Sequence, residues 1–252
     1  MTIRIGLCSV TFRALGAAQI VSLAAQSSLE SIEWGGDVHV PPGDAVTARH
    51  VAALTADAGL AVASYGSYFR AGEGEDIAPV LDSASELGAQ RIRVWAGSVD
   101  AADATESEHA ATVDRLRAAA AAASDRGIEL ALEYHGGTLA NAPATTLRAL
   151  DEVDHQALRT YWQPTVGAPD AVAIDEYRAI ADRVNAVHVF SWWPRTERRP
   201  LADRDGLWRE LFATASASPR PPRDALLEFV PDDDPAVLAR EAAALRAYRD
   251  LV

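Results

Sequence analysis

The chain alternates between short apolar runs and longer segments in which apolar residues recur at helical spacing. The short runs are rich in Val, Ile and Leu and lack clean alternation, which is typical of parallel strands buried on both faces. Eight such runs predict eight strands: IRIGLCSV, LESIEW, LAVASYG, QRIRVWA, IELALEY, LRTYWQ, VNAVHVF and ALLEFV, which begin at Ile3, Leu29, Leu60, Gln90, Ile128, Leu158, Val184 and Ala225.

Helix start and stop signals lie in the segments between these runs. Asp44 is a good N-cap for a helix that runs to about Ala58, where Gly59 ends it. Alanine is the best helix former, so the alanine-rich segment 107–126, followed by Gly127, is also predicted to be a helix. The other predicted helices cover residues 17–27, 77–87, 142–153, 175–182, 206–216 and 235–252.

Eight strand–helix repeats within 252 residues predict a (β/α)₈ barrel, also called a TIM barrel. The alternative is an open, doubly wound sheet, but the glycine fingerprint of a dinucleotide-binding fold is absent after the first strand. The irregular loops 191–205 and 218–224 are too embedded to act as linkers. We therefore expect one TIM-barrel domain over residues 1–252.

Composition and charge indicate which partners and which cellular location to expect. Hydrophobic residues make up 49% of the chain, enough for a large core, and the net charge of −13 disfavours binding to nucleic acid. Cys8 is the only cysteine, so no disulfide can form within the chain. The sequence shows no signal peptide and no apolar run of membrane-spanning length. We therefore expect a cytoplasmic protein with no nucleic-acid or membrane partner.

Several chemistries are excluded by what the chain lacks. All 23 basic residues are arginine, so Schiff-base chemistry on a lysine amine is impossible. This removes lysine-dependent aldolases and pyridoxal phosphate enzymes. A phosphate-binding glycine loop, a catalytic serine elbow and a Cys-X-X-Cys pair are also absent from the sequence.

Polar side chains end four consecutive predicted strands. Glu133, Gln163, His188 and Glu228 lie near the same level of the fifth to eighth strands, and in a barrel of this kind the chemistry lies at that end. A single such residue would more often be solvated or part of the core. Four at equivalent places predict a mostly oxygen-donating site for one divalent metal. Mn²⁺ and Mg²⁺ suit these donors best, and Co²⁺ and Zn²⁺ are also compatible with them.

The motifs around these residues resemble the xylose isomerase-like superfamily, in particular its sugar phosphate isomerase/epimerase family. The resemblance is carried by LALEYH, YWQPT, VHVFSWW and LLEFV, with IRIGLCSVTF and SIEWGGDVHV near the start, and extends over essentially the whole chain. Members of the family usually bind one divalent metal through Glu, Asp, His and Glu. Glu133, His188 and Glu228 match, whereas Gln163 stands where Asp is common, which removes one negative charge.

The resemblance implies a metal-dependent sugar or sugar phosphate isomerase or epimerase. Glu133 and Glu228 would then be the acid–base pair that moves a proton next to a carbonyl, through an enediolate that the metal stabilises. The substrate would be a small sugar, and dimers are common in the family, so a homodimer is compatible with the resemblance. Candidate substrate-binding residues near the strand ends are Arg195, His135, Trp34, Trp192 and Arg70.

Three other functions remain open from the sequence. Proton removal next to a carbonyl also begins β-elimination, so a lyase or dehydratase that acts on a keto-sugar, a keto-inositol or a 3-keto-glycoside is the main alternative. A non-catalytic sugar-binding protein would bind its ligand without metal-dependent turnover. An apurinic-site endonuclease of the same superfamily would need more histidines at the strand ends and a less acidic chain.

Overall fold

The computed structural model describes residues 3–251, in which eight parallel strands form a closed barrel. Strands β8 and β9 pair only with each other as a small antiparallel hairpin, and β10 closes the barrel by pairing with β1. The predicted (β/α)₈ barrel is confirmed. In chain order the strands are β1 (Arg4–Cys8), β2 (Ser31–Gly35), β3 (Ala61–Gly66), β4 (Arg91–Val94), β5 (Glu129–Leu132), β6 (Leu158–Trp162), β7 (Val184–Val189), β8 (Ser191–Trp192), β9 (Arg198–Arg199) and β10 (Asp224–Leu227).

Helices between the barrel strands pack around the outside of the barrel. Asp44 caps the second helix as predicted, because its side chain accepts a hydrogen bond from the backbone N–H of Thr47. Among residues 3–251, no helix combines the length and the apolar character that crossing a membrane requires. The helices are α1 (Ala17–Gln26), α2 (Ala45–Asp57), α3 (Ala78–Leu87), α4 (Glu106–Ser124), α5 (Pro143–Val153), α6 (Asp170–Ile180), α7 (Asp205–Ala217) and α8 (Leu238–Arg249).

Three boundaries differ from the prediction. Helix α6 begins earlier, at Asp170, directly after Pro169, which fixes a backbone angle suited to a helix start. Helix α8 begins later, at Leu238, after two short 3₁₀ turns that each start at a proline, and the predicted end of this helix at residue 252 lies outside the described residues. The loop 191–205 contains the hairpin of β8 and β9 and a 3₁₀ turn rather than being wholly irregular.

Alternation along each barrel strand decides which side chains face the interior. On β4, Ile92 and Val94 belong to the large apolar layer between barrel and helices, so Arg91 and Arg93 point into the barrel. The apolar cluster inside the barrel is small, and its modest volume leaves room for these charged groups. Its members are Cys8, Val10, Ala63, Ala131, Tyr161, Ala186 and Leu226.

A buried ion pair lies near the amino-terminal ends of the barrel strands. Arg91 Nη2 donates to Asp224 Oδ2 at 2.6 Å, and Arg4 Nε donates to the other carboxylate oxygen at 2.9 Å. Arg91 Nε also donates to Tyr161 Oη at 3.0 Å. Because each charge has a partner, the pair can be held out of water at a tolerable free-energy cost. Tyr161 connects it to the polar groups at the opposite end of the barrel.

Candidate active site

The four predicted ligands converge at the carboxyl ends of neighbouring barrel strands. His188 Nδ1 is 3.1 Å from Gln163 Oε1, 3.3 Å from Glu228 Oε2 and 4.0 Å from Glu133 Oε1. One ligand atom each from Glu133, His188 and Glu228 lies within 4.8 Å of the other two. All four side chains are buried. We call Glu133, Gln163, His188 and Glu228 the ligand cluster.

Local backbone geometry aims these side chains inward. Glu133 and Gln163 directly follow the last residues of β5 and β6, and His188 lies within β7. After Glu228 the chain bends sharply at Phe229, whose φ of +52° is uncommon for a residue with a side chain. The N–H of Phe229 donates to Thr11 Oγ1 at 3.1 Å, which holds the bend in place. The bend therefore fixes the position of the Glu228 carboxylate.

A second layer of charge lies against the ligand cluster. Arg93 donates to a carboxylate oxygen of Glu133 and, through Nε at 3.0 Å, to Glu33 Oε1. The same Glu33 oxygen is 3.4 Å from His188 Nε2. Gly66 at the end of β3 permits this approach, because a Cβ there would lie 2.9 Å from both Arg93 Nη2 and Glu33 Oε1. The two ring nitrogens of His188 are therefore bordered by different carboxylates.

The charges in this region shift several pKa values strongly. Burial alone would raise the pKa of Glu33, but the positive charges of Arg93 and His188 outweigh it and hold that pKa well below its usual range. Burial alone would lower the pKa of His188, but the charge of Glu228 and other neighbouring acidic groups raise it well above its ordinary value. Burial raises the pKa of the Cys8 thiol to about 12, so Cys8 stays protonated and is a poor nucleophile. The site strongly favours a positive charge.

The ligand cluster fits a divalent cation in both spacing and charge. Neighbouring ligands of an octahedral ion with bonds of about 2.1 Å are about 3 Å apart. The distances of 3.1 and 3.3 Å from His188 Nδ1 to Gln163 and Glu228 are close to this value. When His188 is neutral, as a metal ligand must be, Glu33, Glu133 and Glu228 face the single positive charge of Arg93, and a doubly charged ion would compensate the excess.

A cavity of about 460 Å³ opens beside the ligand cluster and includes Gln163, Tyr134 and His135 in its wall. The ring of His135 lies 4.8 Å from that of Trp95, and the guanidinium of Arg70 lies 4.1 Å above the same indole. His135 is exposed, and its Nδ1 is 2.6 Å from the carbonyl oxygen of Gly136. Because a carbonyl oxygen can only accept, Nδ1 carries the proton in the neutral ring and Nε2 has a free lone pair.

The structure places the other three predicted substrate-binding residues, Trp192, Arg195 and Trp34, in different surroundings. Trp192 is half-buried and packs against Phe229, next to Glu228, with ring centroids 5.6 Å apart. Arg195 is exposed in the turn between β8 and β9. Trp34 is fully buried and donates from Nε1 to Thr55 Oγ1 on α2 at 3.1 Å. Since Glu33 points into the barrel, Trp34 must point outward, and the structure does not bring it to the site.

Three residues that border the ligand cluster were not assigned from the sequence: Glu33, Arg93 and Tyr161. The signal that could have identified Arg93 is the alternation RIRV, in which two arginines share one face of a strand with apolar residues on the other. Tyr161 lies two residues before Gln163 and therefore on the same face. Glu33 was visible as a strand-end carboxylate, but its distance from His188 was not.

The closed barrel and the ligand cluster at its carboxyl end define a (β/α)₈ protein with a candidate metal-binding, acid–base site. A family model described as "Xylose isomerase-like TIM barrel" matches residues 21–247. The chain belongs to this family, as the sequence motifs had predicted.

Comparison with individual proteins gives relatives with two kinds of activity. The chain is 26% identical over 166 residues to a 3-dehydroshikimate dehydratase from Bacillus anthracis; the alignment covers 61% of this chain and 59% of that protein. A crystal structure of a probable 3-DHS dehydratase from Bacillus anthracis superposes with a TM-score of 0.81 at 20% identity, covering 97% of this chain and 99% of the other. A D-psicose 3-epimerase from Clostridium cellulolyticum H10 gives 0.76 at 15% identity, covering 98% and 99%. The two superpositions establish a shared fold.

Proposed function

We propose that this protein is a divalent-metal-dependent enzyme that removes a proton next to a carbonyl group of a small polyhydroxylated substrate, such as a sugar. The observation that carries the proposal is the convergence of Glu133, Gln163, His188 and Glu228 beside an open cavity. These four residues would hold one metal, with Mn²⁺ and Mg²⁺ best suited to the donors. When bound, such an ion supplies positive charge that stabilises negative charge developing on substrate oxygens.

The two carboxylates of the cluster have different surroundings. One oxygen of Glu133 is occupied by Arg93, whereas among residues 3–251 Glu228 makes no ion pair with an arginine. Glu228 is therefore freer to accept a proton from the substrate, and Glu133 is held in a fixed orientation. Gln163 contributes no charge, so the cluster carries one negative charge fewer than a set with Asp at that position.

An isomerase or epimerase is the first form of this activity. Proton removal by one of Glu133 and Glu228 and return by the other to the opposite face of the same carbon would give epimerisation. Return to the neighbouring carbon would give aldose–ketose isomerisation. The placement of both carboxylates within reach of one imidazole supports this form.

A dehydratase is the second form, and two observations support it. The 3-dehydroshikimate dehydratase relative is similar in sequence, and His135 offers an acid–base group outside the ligand cluster. In this reaction a C–H bond breaks at the carbon next to the carbonyl and a C=C bond forms. The C–O bond at the following carbon breaks, and the departing hydroxide takes a proton and leaves as water. Glu228 is the candidate base, and His135 is the candidate acid when its ring is also protonated on Nε2.

Substrate-binding roles are proposed for the residues along the cavity and its rim. His135 shares the cavity wall with Gln163, and Trp192 packs against Phe229, next to Glu228. Arg70 is half-buried on Trp95 and forms no ion pair within the described residues, so it can take a carboxylate or phosphate group of a substrate. Arg195 is a candidate only for contacts at the outer rim.

The test is a substrate screen with product analysis. We expect turnover of at least one member of a panel of ketoses, 3-keto-glycosides and 3-dehydroshikimate when Mn²⁺ is present, and loss of turnover when it is chelated. Product mass and chirality then separate the two forms, because an isomerase or epimerase conserves mass and a dehydratase removes one water. Turnover that persists at full rate after complete metal removal would contradict the proposal.

A further inference from the structure

Glu33 lies on the opposite side of the His188 ring from the ligand cluster. It reaches across the barrel from β2 and is buried, and its Oε1 is 3.4 Å from His188 Nε2. In the described structure Nε2 makes no hydrogen bond of good geometry, and Glu33 Oε1 is a carboxylate oxygen next to it. Cys8 lies on the same side of the ring, and its Sγ is 3.9 Å from Glu33 Oε1.

Three short hydrogen bonds from three further strands hold the Glu33 carboxylate. Ser64 Oγ donates to Oε2 at 2.6 Å and Tyr161 Oη donates to the same oxygen at 2.8 Å. Arg93 Nε donates to Oε1 at 3.0 Å. An ionised carboxylate can accept about four hydrogen bonds, so the long contact from Cys8 can give way to a donor from His188 on Oε1.

We propose that Glu33 is a positioning residue for His188: it holds the neutral imidazole with its proton on Nε2, which leaves the Nδ1 lone pair facing Glu133, Gln163 and Glu228. The inference rests on the proposed function, because it concerns the metal that those residues would hold. A histidine that binds a metal through one ring nitrogen usually donates from the other to a carboxylate or carbonyl, which fixes the ring and the proton. Glu33 is the acceptor that the barrel provides for this purpose.

Arg93 links Glu33 to Glu133, a second proposed metal ligand. Its guanidinium contacts both Glu33 and Glu133, so the carboxylate behind His188 and the carboxylate within the ligand cluster share one fixed partner. Loss of the Glu33 charge therefore releases the His188 proton and loosens Arg93. Glu33→Gln is the direct test, because glutamine keeps the shape of the side chain and removes its charge.

The first experiment measures Mn²⁺ binding by calorimetry for the full chain. We expect Glu33→Gln to weaken Mn²⁺ binding roughly 10- to 100-fold. Ser64→Ala is the matched control: it removes one donor from Glu33 but leaves the charge opposite His188, and should change the affinity by at most about threefold. Equal Mn²⁺ affinity of Glu33→Gln and wild type would overturn the role of Glu33 while leaving the proposed function intact. Failure of the wild type to bind Mn²⁺ would overturn both.

The second experiment needs no variant and does not depend on whether Glu33→Gln folds. Wild-type protein labelled with ¹⁵N at histidine and loaded with Mg²⁺ should show His188 as a neutral ring with its proton on Nε2. Ligation through Nδ1 alone places the proton on Nε2, so the signature of Glu33 is a slowly exchanging Nε2–H resonance shifted downfield by a hydrogen bond to a carboxylate, which a purely structural role would not produce. A proton on Nδ1 instead, or on both nitrogens with Mg²⁺ bound, would contradict the proposal.

Discussion

Glu228→Gln should lower kcat by roughly 10²- to 10⁴-fold, the range over which a positioned general base accelerates a reaction. Glutamine has nearly the same shape but cannot accept the proton, and it contributes no charge to a bound metal. Glu133→Gln should also reduce turnover strongly, because it removes a charge from the ligand cluster and leaves Arg93 with a single carboxylate partner. Steady-state kinetics on the substrate found in the screen measure both effects.

Glu210→Gln is the matched control for these variants. Glu210 is an exposed carboxylate on α7 that pairs with Arg178, and its loss also changes the net charge by one unit. It should leave kcat within about twofold of wild type, since a substitution on the protein surface, away from the candidate active site and the core, has a small effect. Wild-type turnover in both Glu133→Gln and Glu228→Gln would show that these carboxylates are not the acid–base groups.

Removal of metal by a chelator should abolish turnover and also lower the melting temperature. A ligand present at about 100 times its dissociation constant stabilises the folded state by about 2.7 kcal/mol. For a chain of this size each kcal/mol corresponds to about 2–4 °C, so the expected decrease is roughly 5–10 °C. Thermal unfolding with Mn²⁺, after chelation and after Mn²⁺ is restored measures this effect.

His188→Ala provides the control for the thermal experiment. The variant lacks the imidazole nitrogen that lies next to both Glu133 and Glu228 and would bind the metal. Added Mn²⁺ should therefore no longer raise its melting temperature. An equal Mn²⁺ effect in wild type and His188→Ala would place the stabilising ion at another site.

The order of strands and helices could be predicted from the sequence because each element carries a local signal. Apolar runs define the strands, and Gly59, Gly88 and Gly127 follow helices that end where predicted, to within about two residues. The start of α6 was placed too late because Pro169 was not used as a start signal. The hairpin of β8 and β9 was missed because its strands have only two residues each.

The convergence of Glu133, Gln163, His188 and Glu228 could be predicted because it depends only on which inward-pointing residues lie at the ends of consecutive strands. The contacts behind it could not, because they depend on register between strands. Pairing shifts by one residue between Ile32 and Glu33 and again between Thr160 and Tyr161. These irregularities help to set the level at which Glu33 and Tyr161 meet, and no single-strand pattern reveals them. Trp34 was predicted to bind substrate although it follows Glu33 directly on β2. Neighbouring residues of a strand point to opposite sides, so the inward direction of Glu33 requires Trp34 to point outward.

The most direct test of the proposed metal site is a crystal structure of the wild-type protein grown with Mn²⁺, with anomalous scattering recorded at the manganese edge. We predict a single strong anomalous peak between Glu133, Gln163, His188 and Glu228, with His188 bound through Nδ1. No peak at this position with millimolar Mn²⁺ present, or a peak bound by other residues, would contradict it.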